Sequence, residues 1–162
     1  MVAFEGNGNR LLYWYNDGSK YGLSQQNEDA TVGTYTYCYF YEAAGKHTDA
    51  ALAFITNAVN AGKPFYVHVP YNDTHSPYNV PPGQENDFDH ITSDTAAKTF
   101  LGELHNLDKQ IGRLMGALDG LGISNNTLMV VVGDNGAPND ALKTLLNRNG
   151  GLRSGKGNLY EG

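Results

Sequence analysis

Asp134 and Asn135 close a run of mostly apolar residues, "TLMVVVG", and put two oxygen-bearing side chains where a strand would end. His75 stands in a comparable place, in "NDTHSP", directly after the compact run "FYVHVPYN". Lys156 lies in "GLRSGKGNLYEG", where Gly155 and Gly157 let the backbone come close to whatever the ammonium touches. Carboxylate and amide oxygens are ligands for a hard cation such as calcium or magnesium, but Asp134 and Asn135 alone fall short of the roughly 6–8 oxygens that calcium takes. An ammonium and an imidazole would face an anion on the open side of that cation. Such a set could hydrolyse an ester of a tetrahedral anion, by stabilising charge on the transferred and leaving groups. Each residue also has an ordinary alternative: Asp-Asn-Gly is a good turn, and His75 and Lys156 suit solvated loops.

The elements that would position these residues are those of an α/β fold. Thr48 and Asp49 offer a capping start for a helix through about Asn60, with Ala51, Leu52, Phe54, Ile55 and Val59 on its buried side. "AGKP" closes it, and a strand over Phe65–Asn72 follows at once, the helix-to-strand step of a layered α/β fold. A Pro- and Asp-rich loop leads to a helix of about seven turns from near Ser93, its apolar residues recurring at three- and four-residue spacing from Ala97 to Leu118. The next predicted strand, Thr127–Gly133, is too continuously apolar for a one-sided sheet and is expected to lie centrally, with helices on both faces. Ligands gather beyond the carboxyl ends of parallel strands in such folds, so His75 and the Asp134–Asn135 pair are expected along one edge.

The 162 residues suit one domain, which would bury roughly 68–70% of its unfolded surface. The net charge of −6 argues against a nucleic-acid partner, which draws on clustered Lys and Arg. There is no run of about 18 apolar residues, so no membrane span is expected, and "VAFEGNGNR" after Met1 shows no secretory signal. Cys38 is alone, which leaves no intrachain disulfide and favours a packed thiol over a nucleophile. Tyr35, Tyr37, Tyr39 and Tyr41 alternate onto one face of a predicted strand, which could pack on a neighbouring layer or stack sugars.

Three stretches together resemble the sulfatase family. "PFYVHVPYNDTHSPYNVPP" looks like its strand and His-x-Pro loop, and "LHNLDKQIGRLMGALDGLGISNNTLMVVVGDNG" like the helix–strand unit that delivers its metal-binding Asp-Asn. "NGGLRSGKGNLYEG" looks like its Leu-Arg-x-Gly-Lys-Gly-x-x-x-Glu-Gly signature. The motifs cover roughly residues 48–162, the sulfatase-like core of a single partial catalytic domain over 1–162 whose segment 1–47 carries none of them, and the resemblance implies part of an alkaline-phosphatase-like α/β/α three-layer sandwich with a mainly parallel central sheet. It further implies that Asp134 and Asn135 are calcium ligands, and that Lys156 contacts the sulfate or its bridging oxygen. His75 would bind the sulfate or protonate the leaving alcohol. The partner would be a sulfated small molecule or glycan, in the manner of the N-acetylgalactosamine-6-sulfatase type or of arylsulfatases. Asp108 and Glu161 sit at family-like positions and are expected to be structural. Gly45-Lys46-His47 lacks one residue of a family sulfate-binding element and is expected in the loop before the first helix.

The family's nucleophile is a formylglycine made within Cys/Ser-x-Pro-x-Arg, and that pattern does not occur among the 162 residues. The expectation is therefore an internal piece of a sulfatase, secreted or periplasmic by resemblance. Such a piece would be inactive alone and prone to self-association through apolar surface left uncovered. Phosphate or phosphonate ester hydrolysis on the same fold is the nearer alternative. A non-catalytic carbohydrate-binding module using the tyrosine face is the more distant one.

Overall fold

The computed structural model describes the backbone of residues 2–5, 10–15, 20–26, 32–76, 78–138, 140, 142 and 145–159, with side chains from Tyr41 onward. Strands β1 (Val2–Glu5), β2 (Arg10–Tyr15), β3 (Lys20–Gln26) and β4 (Val32–Tyr39) form a meander. Helix α1 (Ala43–Asn60) follows, then β5 (Tyr66–His68) and helix α2 (Thr95–Gly120). The sheet order is β4-β3-β2-β1-β5, and β5 joins it through Ala3↔His68, Phe4↔Val67 and Glu5↔Tyr66.

Every pairing among the described residues is antiparallel. The mixed α/β character thus agrees with expectation, whereas a mainly parallel sheet is not what the described strands form. β5 is also shorter than Phe65–Asn72, because the backbone turns at once: the N–H of Tyr71 donates to the carbonyl of Val69 at 3.1 Å. Thr127–Gly133 differs more. A strand exists only as half of a ladder, and no described segment pairs with this run. Leu128 is 89% and Val132 81% exposed, while Met129 packs against the core between the helices.

The start of α1 corrects two expectations. Its N-cap is Glu42, so Gly45-Lys46-His47 lies inside the helix rather than in a preceding loop. Ala43, Ala44, His47 and Thr48 are buried, and burying that first turn extends the helix beyond the polar cap signal at Thr48. The Thr48 hydroxyl instead donates to the Ala44 carbonyl at 2.9 Å and meets the Tyr71 hydroxyl at 2.8 Å. At α2 the capping group is Asp94, whose carboxylate accepts from the N–H of Ala97 at 2.8 Å.

Both helices stop in the same way. Gly62 (φ +63°) follows α1 and Gly122 (φ +69°) follows α2. The next N–H groups, of Lys63 and Ile123, donate back to the carbonyls of Ala58 and Leu118. This left-handed termination favours glycine because it has no Cβ to clash.

The helices meet through Ala51 and Ile55 of α1 and Leu114 and Leu118 of α2, with Phe65, Val67 and Val69 closing the cluster. Full burial of one such aliphatic side chain contributes about 1.5–3 kcal/mol. A second cluster joins Ala97 and Phe100 of α2 to Leu142, with Tyr78 and Leu146 packed on it. It fastens the chain after Asp134 to the same helix that receives the loop after β5. No helix of the described residues is long and apolar enough to cross a membrane.

Candidate functional site

The loop after β5 carries His75. Its turn closes when the N–H of His75 donates to the carbonyl of Asn72 at 2.8 Å. The His75 ring is exposed, and its Nδ1 lies 2.7 Å from the Ser76 carbonyl. A carbonyl only accepts, so Nδ1 carries the hydrogen and Nε2 is left to face outward.

Asp134 and Asn135 occupy an exposed bend after the unpaired run. The Asn135 side-chain N–H donates to the Gly136 carbonyl at 2.9 Å, and among the described residues no hydrogen bond occupies its amide oxygen or the Asp134 carboxylate. These are oxygens of the kind a hard cation takes, yet no group of three or more His, Cys, Asp or Glu among the described residues could hold one. The donors suit calcium or magnesium in type, and most of a coordination shell would have to come from other groups.

Lys156 is brought to that bend by main-chain contacts. Its N–H donates to the carbonyl of Ala137 at 2.9 Å, two residues beyond Asn135. Asn149 reinforces the join: its side-chain oxygen accepts from the N–H of Ala137 at 3.1 Å, and its amide N–H donates to the Ser154 carbonyl. Gly157 follows at φ +86°, in the left-handed region, so the turn exposes the Lys156 side chain on a tightly bound backbone. Among the described residues no hydrogen bond or ion pair joins His75 to this pair of loops. Asp108 is exposed on α2, as a surface role requires; Glu161, and the side chains of Cys38 and the Tyr35–Tyr39 face, lie outside the described residues.

A network of polar groups that no motif marks runs from the His75 loop into the helices. Asp73 accepts from the side chain of Asn106, and burial pushes its carboxyl up to about 6. Asn106 also donates to the Tyr41 carbonyl at 3.2 Å and accepts from Gln110 at 3.4 Å. Gln110 accepts from Arg113, which pairs with Asp49 of α1 at 2.6 Å. Glu103 is buried, and burial foremost, then the Asp73 charge, pushes it up to about 9. The signal was present: Glu103 and Gln110 fall on the buried stripe with Phe100, Leu114 and Leu118, where a polar residue needs a reason.

Arg148 is the other anchor. Its guanidinium lies 4.4 Å from the Phe100 ring centroid and reaches the Tyr78 hydroxyl at 3.3 Å and Asp140 at 3.2 Å. It therefore ties the segment before Lys156 to the loop that carries His75.

Comparison with known proteins gives a consistent result. The family model described as "Sulfatase" matches residues 4–162, which takes in most of the segment before residue 48 that the motifs left out. The "Uncharacterized sulfatase YdeN" of Escherichia coli (strain K12) is 26% identical over 115 residues, covering 71% of this chain and 20% of that protein. The chain thus spans about a fifth of the length of that curated relative. No solved structure matches.

Proposed function

The chain belongs to the sulfatase family, and from that premise we propose that it contributes part of a site hydrolysing sulfate esters of carbohydrates or aryl compounds. The observation that carries this is the hydrogen bond from the Lys156 N–H to the Ala137 carbonyl, which sets the Asp134–Asn135 bend beside the Gly155–Gly157 loop.

In this function Asp134 and Asn135 contribute oxygens to a calcium ion, or to magnesium in its place. The ion, when bound, supplies positive charge against the sulfate oxygens. The Lys156 ammonium sits on an exposed loop whose backbone is fixed at both ends, and balances charge on the sulfate or its bridging oxygen. When the sulfur–oxygen bond breaks, the alkoxide that leaves needs a proton. Nε2 of a protonated His75 donates it, since Nδ1 is committed to Ser76. The attacking group is not among the family-pattern residues of this sequence, so the chain by itself is expected to show no turnover. The alkaline-phosphatase-like three-layer sandwich belongs to the same proposal.

The test is NMR of the chain titrated to high millimolar calcium and inorganic sulfate, because two oxygen donors alone give only weak binding. Resonances of Asp134–Gly136 and Gly155–Asn158 are expected to shift together, at least tenfold more strongly for sulfate than for phosphate, and Asp134→Ala or Lys156→Ala should remove the response. Preference for phosphate would move the assignment to phosphoester hydrolysis. Glycan-induced shifts confined to Tyr35–Tyr41 would replace catalysis with sugar binding. Hydrolysis of 4-nitrophenyl sulfate by the chain alone would overturn the expected inactivity.

A further inference from the structure

The loop between β5 and α2 is fastened to α2 at closely spaced points. Val80 packs on Gly102 so closely that a Cβ there would meet its Cγ1 at 2.7 Å. One residue earlier in the loop, the main-chain N–H of Asn79 donates to Glu103. One helical turn further along α2, the side chain of Asn106 holds Asp73. His75 lies between the outer anchors, so whatever fixes Asp73 and Asn79 fixes where His75 can be.

Glu103 is an unusual anchor. It is 1% exposed, and its Oε2 has no hydrogen-bond partner among the described residues. The charged group that acts on it is Asp73, from the loop. The turn before α1 reaches the network through the Tyr41 carbonyl on Asn106, and the turn of residues 84–88 packs Phe88 against Gly102. Farther along α2, Arg113 is committed to Gln110 and Asp49. A carboxylate buried beside a second carboxyl, with an oxygen left unpaired, is poorly placed to carry charge.

We propose that Glu103 is a positioning residue for His75: as a protonated, neutral acid it latches the Asp73–Val80 loop to α2, and loss of that proton releases the loop. Only the consequence for catalysis rests on the sulfate-ester function; the latch itself does not. Burial and the Asp73 charge, which hold the acid far above the ordinary carboxyl range, are consistent with the closed state at neutral pH. The Asn79 N–H favours the charged form, but burial and the Asp73 charge outweigh it, so an ionised Glu103 favours separation of the loop from the helix.

The test is carbon-13 NMR of the chain with labelled glutamate, valine and histidine, titrated from about pH 5 to pH 10. The Glu103 carboxyl is expected to titrate near 9, and the Val80 methyls and the His75 ring should show a step at the same midpoint. Glu103→Gln, which keeps an acceptor for Asn79, should hold Val80 and His75 in their low-pH positions throughout. Asp73→Asn should lower the Glu103 midpoint, and this variant reports even if the glutamine variant does not fold. Titration of Glu103 near 4.5, or a His75 step that survives Glu103→Gln, would overturn the latch. Because no sulfate enters the measurement, failure of the proposed function leaves this result untouched.

Discussion

The main-chain N–H of Lys156 donates to the carbonyl of Ala137 at 2.9 Å, so two loops nearly twenty residues apart in the chain meet through backbone rather than through their functional side chains. The Asn149 side chain secures the join from both sides. Asn149→Ala leaves the half-buried N–H of Ala137 without its acceptor and is expected to cost about 1–3 kcal/mol in urea unfolding. Lys156→Ala and Asp134→Ala, at exposed positions, should stay within about 0.5 kcal/mol while removing the response to calcium and sulfate. Comparable destabilisation by all three would mean that the exposed residues are structural.

Arg148→Ala should cost about 2 kcal/mol, because a desolvated cation over Phe100 is lost together with the contacts to Tyr78 and Asp140. Arg148→Lys keeps the charge but not the planar group, and is expected to recover less than half of the loss. Thermal unfolding of the two variants distinguishes a packing anchor from a simple ion pair, for which lysine would restore stability in full.

The exposed run Leu128–Val132 should drive association with a second copy of the chain, since an unpaired apolar segment offers both ladder groups and apolar surface. Val130→Lys with Val132→Lys is expected to shift the chain towards monomer in analytical ultracentrifugation without lowering its melting temperature by more than a few degrees. A wild-type chain that stays monomeric at high concentration would count against this surface as a contact.

Stability should depend on pH with two opposed limbs. Burial lowers His47 from 6.5 to about 3, so its neutral form contributes stability that is complete above 6.5 and is lost as pH falls towards 3. Asp73 and Glu103 act in the opposite sense. Raised from 3.8 to about 6 and from 4.5 to about 9, they contribute stability that is complete in acid and is lost as pH rises through those values. His47→Phe should flatten only the acid limb of the urea midpoint against pH, and Glu103→Gln only the alkaline limb. If both limbs survive both substitutions, other groups control the profile.

Much of the framework was legible because local rules governed it. The apolar spacing from Ala97 to Leu118 marked α2, and the glycines after each helix marked both ends. Where a neighbour decided the outcome, local rules failed. Thr48 reads as a helix start, yet its hydroxyl meets Tyr71 from the loop after β5, inside a helix already begun. The run "TLMVVV" reads as a central strand, yet strand formation needs a partner that the run does not itself contain.

The sequence by itself determined the chemical inventory: Asp134 with Asn135, His75, and Lys156 between glycines, in an order whose pattern carries the family. Residue type and spacing suffice for that, because they are properties of the chain before it folds. Only the tertiary structure decided that Lys156 is tied to the Asp134–Asn135 bend, that Arg148 joins the surrounding segments over Phe100, and that Glu103 is buried within reach of the Asp73 charge. Those facts arise from distances between residues remote in sequence, and from the desolvation that follows when they are packed together. Neither quantity exists until the chain has closed on itself.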